Sequence, residues 1–401
     1  MAKLISADLT NNKLCILEYT TTDRQMLSFK EDAFDAKIVS HTYADKGKII
    51  FDKPITTIRE FPFNIPVNLK SITIPDSVTT IDEGTFSGYS SLKEFKGKFA
   101  SDDGCCLIIN GVLNSFASGC DATDYVIPNS VISIGECAFS NCTILANVTI
   151  HNRVTTIGEG AFMLCDNLIS VRIGDSVTTI GSYAFYGCIS LTSVIIPDSV
   201  TTIGDYAFAN CDSLTSVTIP NSVTTIGDYA FENCNSLTNV IIPDSVTTIG
   251  EGVFSGCYSL KEFKGKFAAD NGSCLIVDGV LNSFANGCGA TEYTIPASVI
   301  TIGDYAFCFC DSLTSVRIGD SVTTIGDKAF VYCKSLTSVT IGNSVSEIGE
   351  NAFNKCNIDT IVCCPQIPPK LNNSFDKFEN LIVPIGCEEA YANSDWGQYL
   401  E

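Results

Sequence analysis

A phenylalanine followed three residues later by a cysteine recurs along this chain at a fixed interval. Six successive phenylalanines lie 23 residues apart from Phe139 to Phe254, and the same spacing returns from Phe307 to Phe353. A unit of 23 residues cannot bury its apolar face alone, so neighbouring units must stack and share one core. The period therefore predicts a repeat solenoid, and we expect one elongated body from the 401 residues.

The composition is acidic, which excludes two classes of partner. The formal net charge is −21 and the isoelectric point is about 4.4. Nucleic acids and anionic membranes both require a surface rich in Lys and Arg, so we expect no nucleic-acid partner. No stretch approaches the 18 apolar residues of a membrane-spanning helix, so we expect no membrane insertion. The acidic residues recur once or twice per repeat, which is typical of a solvated face on a monomer.

One repeat, residues 191–211, shows how the unit should fold. Its first residues alternate in a Leu-x-x-Val-x-Ile pattern, which predicts a short strand paired in parallel with its copies. Pro197 ends the strand, and Asp198 is suited to cap the turn that follows. Gly204 and Asp205 then open a segment that we expect to form a single helical turn. The positions predicted to point inward are Leu191, Val194, Ile196, Val200, Ile203, Phe208 and Cys211.

The capping position after the strand could instead hold calcium if it formed a column of carboxylates. Four of its nine occupants are Asn and not Asp, so turn capping is the better interpretation.

Nine of the twenty cysteines occupy a single position of the repeat. They are Cys142, Cys165, Cys188, Cys211, Cys234, Cys257, Cys310, Cys333 and Cys356. A regular column gives each sulfur two equivalent neighbours and no preferred disulfide partner, so we expect reduced, buried thiols. No Cys-x-x-Cys motif occurs. The clusters Cys105-Cys106, Cys363-Cys364 and Cys308-x-Cys310 leave a soft-metal site open as the less favoured alternative, so we expect no metal and no cofactor.

The strand pattern L-x-x-V-x-I followed by I-G-x-x-A-F-x-x-C resembles the BspA-like leucine-rich repeat family, which is found in bacterial surface proteins and some protozoa. The resemblance covers roughly residues 55–356. It implies a right-handed leucine-rich repeat solenoid, mostly β, with a parallel strand ladder on the concave face and short helical turns on the convex side. It also implies adhesion or protein binding at a cell surface or after secretion, and it implies no catalytic residues.

Two intervals between successive phenylalanines are 53 residues long instead of 23, so each contains a longer unit. Residues 93–128 and 261–296 align without gaps and are identical at 27 of 36 positions, which indicates duplication of a whole block. Each unit has a two-residue turn between apolar runs, Asn110-Gly111 or Asp278-Gly279, and such pairs favour β-hairpins. We expect a hairpin in place of the helical turn, either as a grip for a partner or as a variant repeat without a separate role.

The ends of the array differ from its middle, as capping units must. We assign residues 1–54 to an N-terminal cap with strands at 14–17 and 49–51, and residues 55–356 to the repeat array. Residues 357–401 form the C-terminal cap, with a strand near Leu381 and a helix from Glu388 to Leu400. Trp396 should anchor this helix over the open end. Residues 1–14 have no apolar core of a leader sequence, so cytoplasmic location remains an alternative.

Catalytic motifs are missing from the sequence. The only two histidines, His41 and His151, have no evident nucleophile or acid at a useful spacing, and no phosphate-binding loop is present. The sequence therefore predicts a protein that is not an enzyme.

The outward positions of the predicted strands are the candidate binding residues. They are Ser170, Arg172, Ser193, Ile195, Ser216, Thr218, Asn239, Ile241, Ser315, Arg317, Ser338 and Thr340. Arg172 and Arg317 are the only charges among them, and each could bind a carboxylate of a partner or one of the protein's own acids.

Three functions follow from this surface. The favoured one is a binding module for a protein or glycan ligand, as in adhesion, because solenoids present long surfaces. The first alternative is an intracellular scaffold. The remote alternative is binding to ice or crystal surfaces, suggested by Thr pairs such as Thr201-Thr202, although Ile195 and Ile241 interrupt the hydroxyl pattern.

Overall fold

The computed structural model of this chain describes residues 15–30, 32–60, 62–63 and 68–400. The predictions for residues 1–14 lie outside the described residues. The chain divides into two compact units, Met1–Ile189 and Ser190–Glu401, each built from stacked repeats of mostly β structure.

The first unit contains only strands among its described elements. They are β1 (Ile16–Thr21), β2 (Ile38–Tyr43), β3 (Gly47–Phe51), β4 (Thr57–Ile58), β5 (Leu69–Ile74), β6 (Thr80–Ile81), β7 (Glu94–Gly97), β8 (Cys106–Ile109), β9 (Val112–Phe116), β10 (Asp124–Val126), β11 (Ser133–Ile134), β12 (Asn147–Thr149), β13 (Thr156–Ile157), β14 (Ser170–Arg172) and β15 (Thr179–Ile180).

The second unit adds strands of the same two kinds and a little helix. They are β16 (Ser193–Ile195), β17 (Thr202–Ile203), β18 (Ser216–Thr218), β19 (Thr225–Ile226), β20 (Asn239–Ile242), β21 (Thr248–Ile249), β22 (Glu262–Gly265), β23 (Cys274–Val277), β24 (Val280–Phe284), β25 (Glu292–Thr294), β26 (Thr301–Ile302), β27 (Ser315–Arg317), β28 (Thr324–Ile325), β29 (Ser338–Ile341), β30 (Glu347–Ile348), β31 (Thr360–Cys363), β32 (Lys370–Leu371), β33 (Asn380–Ile382), helix α1 (Glu388–Ala392) and 3₁₀ turns at Asn286–Cys288 and Asp395–Tyr399.

Two parallel ladders of strands join the repeats within each unit, which confirms the predicted solenoid. In the long-strand ladder, formed by the Leu-x-x-Val-x-Ile segments, Asn147 of β12 lies opposite Ser170 of β14. In the short-strand ladder, formed by Thr-Ile pairs, Thr225 of β19 lies opposite Thr248 of β21. In both of these pairings each residue lies opposite the residue 23 positions later, so equivalent side chains of successive repeats form columns.

The segment around each repeated phenylalanine is not the helical turn that the sequence predicts. Tyr206, Phe208 and Asn210 donate their amide hydrogens, at 2.7–2.8 Å, to carbonyl oxygens 22 residues further on, in the next repeat. Tyr206 and Asn210 have positive φ angles of 54° and 57°, which a right-handed helix cannot contain. Since these left-handed residues flank Phe208, alternate N–H groups point along the stack. We call this third set of hydrogen bonds the turn ladder.

The core consists of the inward columns that the period predicts. Phe231 stacks between Phe208 and Phe254 at centroid distances of 5.3 and 5.5 Å, with ring planes within 6° of parallel. The repeated cysteines are buried and reduced, as expected. The thiol of Cys234 donates to the carbonyl oxygen of Phe208 at 3.2 Å, so the sulfur column also links successive repeats. All seven residues predicted to point inward between Leu191 and Cys211 are at least 96% buried.

The predicted hairpins form in both long units. β8 and β9 pair in antiparallel fashion across Asn110-Gly111, whose φ angles of 51° and 83° suit a type I′ turn. Contrary to the prediction, the hairpin does not simply replace the turn segment. Leu113 of β9 lies in the short-strand ladder opposite Ile134, and the chain reaches Phe116 only three residues further on. Phe116 stacks on Phe139 at 4.7 Å, so this unit reaches the phenylalanine column without the left-handed residue that precedes Phe139 at Cys137.

A buried asparagine closes the gap that each hairpin leaves in the short-strand ladder. The side-chain amide of Asn114 donates to the carbonyl oxygens of Ile81 and Asp82 at 3.3 and 3.0 Å. The same type of contact occurs in the duplicated unit, where the side-chain amide of Asn282 donates to the carbonyl oxygen of Gly250 at 2.7 Å. Since an unpaired buried carbonyl is costly, these amides let the hairpin interrupt the ladder.

The two ends of the described chain depart from the regular repeat. β1 pairs in antiparallel fashion with β3 and β5 at the end of the first unit's long-strand ladder. The predicted helix from Glu388 to Leu400 is broken, because α1 ends at Ala392 and Ser394 caps the following 3₁₀ turn. Trp396 is fully buried and its indole N–H donates to the carbonyl oxygen of Pro369 at 2.8 Å, which confirms its role as an anchor.

Removing one ring from the phenylalanine column should destabilise the array. We expect Phe231→Ala to lower the free energy of unfolding by about 3 to 5 kcal/mol, because it leaves a cavity between two rings. The exposed Ser216→Ala should change the same quantity by no more than about 0.5 kcal/mol. Urea unfolding followed by circular dichroism measures both, and equal effects would contradict the assigned facing of the repeat.

Thiol labelling should separate the two kinds of cysteine. Fourteen cysteines are buried and six are partly exposed, so a maleimide should rapidly label at most those six in the native protein. Mass spectrometry before and after denaturation counts the labelled thiols. Rapid native labelling of more than half of the twenty would refute the buried column.

Candidate binding surfaces

The first candidate surface is the solvent side of the long-strand ladders, which we call the long-strand face and which includes the twelve outward strand positions predicted from the sequence. All twelve lie on the solvent side of the ladders, exposed or half-buried. Ile195 and Ile241 are the most conspicuous, with 78% and 58% of their surface accessible. Ser170 and Arg172 belong to the first unit and the other ten residues to the second. The structure therefore provides two stretches of this face, one in each unit.

In the first unit, hydrogen bonds between side chains organise the long-strand face. Asn147 donates to the carboxylate of Asp124 at 2.6 Å, and the hydroxyl of Ser170 donates to the side-chain oxygen of Asn147 at 2.7 Å. These contacts run along one column, with a spacing of one repeat. They fix the side-chain rotamers before any ligand arrives, which reduces the entropy lost on binding.

The long-strand face carries charged residues besides Arg172 and Arg317. Lys264 lies directly opposite Ile241 and forms an ion pair with Glu262 at 2.5 Å. Glu292 lies opposite Ser315. Arg172 and Arg317 are the only charges among the twelve predicted positions but not on the whole face, because strands of the hairpin units also join the ladder.

The two arginines have no carboxylate partner in the part of the chain that the structure describes. Neither guanidinium lies within 4.0 Å of a carboxylate oxygen there, so the internal ion pair that the sequence left open does not form among those residues. Arg172 lies opposite Thr149, and Arg317 lies between Thr294 and Thr340. Each positive charge is therefore presented among neutral hydroxyl side chains.

A second candidate surface, the outer trough, lies on the turn ladder of the second unit. Its floor consists of Cys308 and Val331, which are 4% and 7% exposed. Its walls are the outward residues two positions before and two positions after each core phenylalanine, and the trough encloses about 360 Å³. The walls include Tyr305, Phe309, Lys328, Tyr332, Asn351 and Lys355.

The aromatic walls of the outer trough are held in an unfavourable backbone conformation. Tyr305, Phe309 and Tyr332 have φ angles of 56°, 60° and 62°, a region that costs a bulky residue about 1 to 3 kcal/mol. Glycines occupy the equivalent positions at Gly252 and Gly256. Bulky rings thus occupy positions that another repeat fills with glycine at no such cost.

Contacts among the wall residues preform the outer trough. Phe309 and Tyr332 stack at 4.9 Å with ring planes 7° apart. The ammonium group of Lys328 lies 5.0 Å from the ring centroid of Tyr305 and donates to its hydroxyl at 2.6 Å. This surface was not predicted from the sequence, although aromatic residues two positions from the repeated phenylalanine are a signal for it.

Two equivalent grooves accompany the hairpins, one in each unit. The groove of the first unit encloses about 400 Å³ beside Phe99 and Asp102, and that of the second about 440 Å³ beside Phe267 and Asp270. The lysine at each groove is already bound, since Lys98 donates to the carbonyl oxygen of Val78 at 2.8 Å.

Burial controls the titration of several side chains near the outer trough. It raises the pKa of Glu232, which lines one end, and raises the pKa of Cys308 on the floor to about 12. Cys308 is therefore a neutral thiol at physiological pH and acts as apolar surface.

The described residues offer no evident catalytic or metal chemistry. They contain no group of three or more His, Cys, Asp or Glu side chains that could hold a metal ion. His41 contacts the hydroxyl of Tyr19 at 2.6 Å, and His151 contacts the carbonyl oxygen of Pro128 at 2.9 Å. No helix in the described part of the chain is long and apolar enough to span a membrane.

Comparison with known sequences identifies the repeat. Residues 13–100, 113–192, 178–268 and 281–382 match the sequence profile of the BspA type leucine-rich repeat region. No curated protein matches the chain.

Comparison with solved structures agrees with this match. A leucine-rich repeat protein of Bacteroides ovatus is 28% identical with a TM-score of 0.52, and the match covers 89% of this chain and 98% of that one. A leucine-rich cell surface protein of Faecalibacterium prausnitzii is 26% identical with a TM-score of 0.51, covering 73% and 97%. The pneumococcal vaccine antigen PcpA is 20% identical with a TM-score of 0.54, covering 68% and 82%, and supports the fold alone.

Neutralising a carboxylate beside the outer trough should stabilise the protein at neutral pH. Burial is the main cause that raises the pKa of Asp304, and Asp327 adds repulsion. The folded state therefore binds this proton more tightly than the unfolded state, and stability falls as the pH rises through the folded pKa. Asp304→Asn keeps an oxygen that can accept the hydrogen bond from the Asp327 amide at 2.7 Å.

We expect the melting temperature of Asp304→Asn to exceed that of the wild type at pH 7, and the difference to vanish near pH 3, below the ordinary pKa of about 3.9. The exposed Asp270→Asn is the control and should show no such trend. A variant less stable than the wild type at pH 7 would show that the carboxylate of Asp304 stabilises the fold.

Proposed function

The chain belongs to the BspA-type leucine-rich repeat family, and we propose that it is a non-catalytic binding module that recognises a protein ligand through the long-strand face. Repeat scaffolds of this family act by recognition. The observation that supports this assignment most is the arrangement of the outward strand positions in columns, with Arg172 and Arg317 among uncharged neighbours.

The composition of the long-strand face suits a protein partner. Ile195 and Ile241 supply exposed apolar surface, and small hydroxyl residues such as Ser193 and Ser216 surround them at little cost in side-chain entropy. Protein interfaces combine an apolar centre with a few hydrogen-bonding anchors, and Arg is enriched among those anchors. In a strongly acidic protein, an unpaired arginine is best matched by a carboxylate on the partner.

Adhesion is the biological setting that we propose for this binding. The support is indirect, since the Faecalibacterium prausnitzii relative is described as a cell surface protein. An intracellular scaffold would use the same binding chemistry, so the two settings differ in location and not in mechanism.

The remote alternative of ice binding is disfavoured by where the threonine hydroxyls point. Thr224 donates its hydroxyl hydrogen to the carbonyl oxygen of Thr201 at 3.3 Å, and Thr247 donates to that of Thr224 at 3.2 Å. These hydroxyl groups form hydrogen bonds to the preceding repeat, so they are poorly placed to donate to an ordered water lattice.

A protein and glycan array probed with the intact chain tests the proposal. We expect the chain to bind one or more proteins, and the double variant Arg172→Glu/Arg317→Glu to lose at least about tenfold in affinity through lost attraction and new repulsion. Arg153→Glu is the matched control, because Arg153 is exposed in the first unit but lies outside the strands. It should bind as the wild type does.

Two results would contradict the proposal. One is unchanged affinity of the double variant together with loss of binding in Tyr332→Ala, which would move recognition to the outer trough. The other is binding to glycans only, which would identify a different class of ligand. Circular dichroism of each variant confirms that the fold is retained.

A further inference from the structure

The strongest unexplained feature of the first unit is a pair of cysteines at the base of its hairpin. Cys106 of β8 lies opposite Phe116 of β9, so Cys105 lies opposite Ala117, and the Ala117 amide donates to the Cys105 carbonyl oxygen at 2.8 Å. The chain then turns back, because the amide of Cys120 donates to the carbonyl oxygen of Ala117 at 2.9 Å. This turn returns Cys120 towards Cys105.

The turn brings the two side chains close enough to interact, and both are free thiols. This interaction is the largest cause that lowers the pKa of Cys120 and also the largest cause that raises the pKa of Cys105. Cys105 is therefore the thiol of the pair that keeps its proton, and its Sγ lies 3.9 Å from the carbonyl oxygen of Asp103. The neighbouring Asp103, whose carboxylate accepts the Cys105 amide at 2.9 Å, also disfavours a thiolate at Cys105.

Exposure distinguishes this pair from the other contacting thiols. Cys105 is partly exposed and Cys120 is 4% exposed. Thiols that contact each other in the repeat column, such as Cys234 and Cys257, are both buried. Cys106 and Cys142 lie nearby, but each forms a hydrogen bond with a hydroxyl group. The Cys106 sulfur lies 3.1 Å from the hydroxyl oxygen of Tyr125, and the Cys142 thiol donates to the hydroxyl oxygen of Ser118 at 3.3 Å. A small oxidant can therefore reach the pair more easily than the column.

We propose that Cys105 and Cys120 are an oxidation site, at which a small peroxide converts the two thiols into an intramolecular disulfide. In the first step the Cys120 thiolate attacks hydrogen peroxide, forming a sulfenic acid and releasing hydroxide. In the second step the sulfur of Cys105 attacks the sulfenic sulfur, losing its proton, and one water leaves as the S–S bond forms. Two thiols and one peroxide thus give one disulfide and two waters.

The second unit supplies an internal control, because its duplicated hairpin has the same backbone but one cysteine fewer. Ser273 replaces Cys105, and Cys288 is the equivalent of Cys120. The amide of Ala285 donates to the carbonyl oxygen of Ser273 at 2.8 Å, and that of Cys288 donates to the carbonyl oxygen of Ala285 at 3.0 Å. The same two hydrogen bonds therefore place position 273 beside Cys288.

The test is treatment of the intact chain with hydrogen peroxide, followed by blocking of free thiols with a maleimide and non-reducing peptide mapping. We expect one cross-link, between Cys105 and Cys120, to form before any other. Cys105→Ser should abolish it, and this variant copies the residue that the second unit already tolerates. Cys288→Ser should leave it unchanged.

The converse variant gives a second, independent result. Ser273→Cys should gain one additional disulfide, joining positions 273 and 288, under the same treatment. Peroxide oxidation of Cys120 to a sulfinic acid without a cross-link would overturn the proposal. So would an earlier disulfide between column cysteines, or Cys105–Cys120 cross-linking only after denaturation.

Discussion

Backbone hydrogen bonding between successive repeats is the interaction on which each unit depends. The long-strand, short-strand and turn ladders join each repeat to its neighbours on three sides. Because these bonds place every residue beside its copy, identical side chains must stack, and Phe231 lies between two parallel rings for that reason. The thiol of Cys234 donates a hydrogen bond to the carbonyl oxygen of Phe208, so a side chain also links successive repeats.

The turn ladder also determines what the surface can offer. It requires left-handed residues on both sides of each core phenylalanine, and their side chains point outward. Where those positions hold glycine the surface is smooth, and where they hold Tyr305 or Tyr332 it becomes the wall of the outer trough. The long-strand face follows a different rule, since its outward positions alternate with buried ones along each strand.

Much of the fold could be predicted from the sequence because a single 23-residue period identifies the inward positions, and Asn110-Gly111 specifies its own turn. The turn ladder could not be predicted, since Ala207, Phe208 and Cys211 would also share one face of a helix. Only the hydrogen bonds to the next repeat distinguish the turn ladder from a helical turn. The outer trough was missed for the same reason. The charge of Lys264 was missed because its strand has Phe263 and Gly265 in place of the Val and Ile of the regular pattern.

Amide-resolved hydrogen exchange in the central repeats tests this account most directly. Tyr229, Phe231 and Asn233 donate to carbonyl oxygens of the next repeat at 2.8, 3.0 and 2.8 Å. We expect these alternate amides to be among the slowest to exchange, because they open only when two repeats separate. Exchange of all three at the rate of exposed loops, with the strands still protected, would show that the turn ladder does not hold the repeats together.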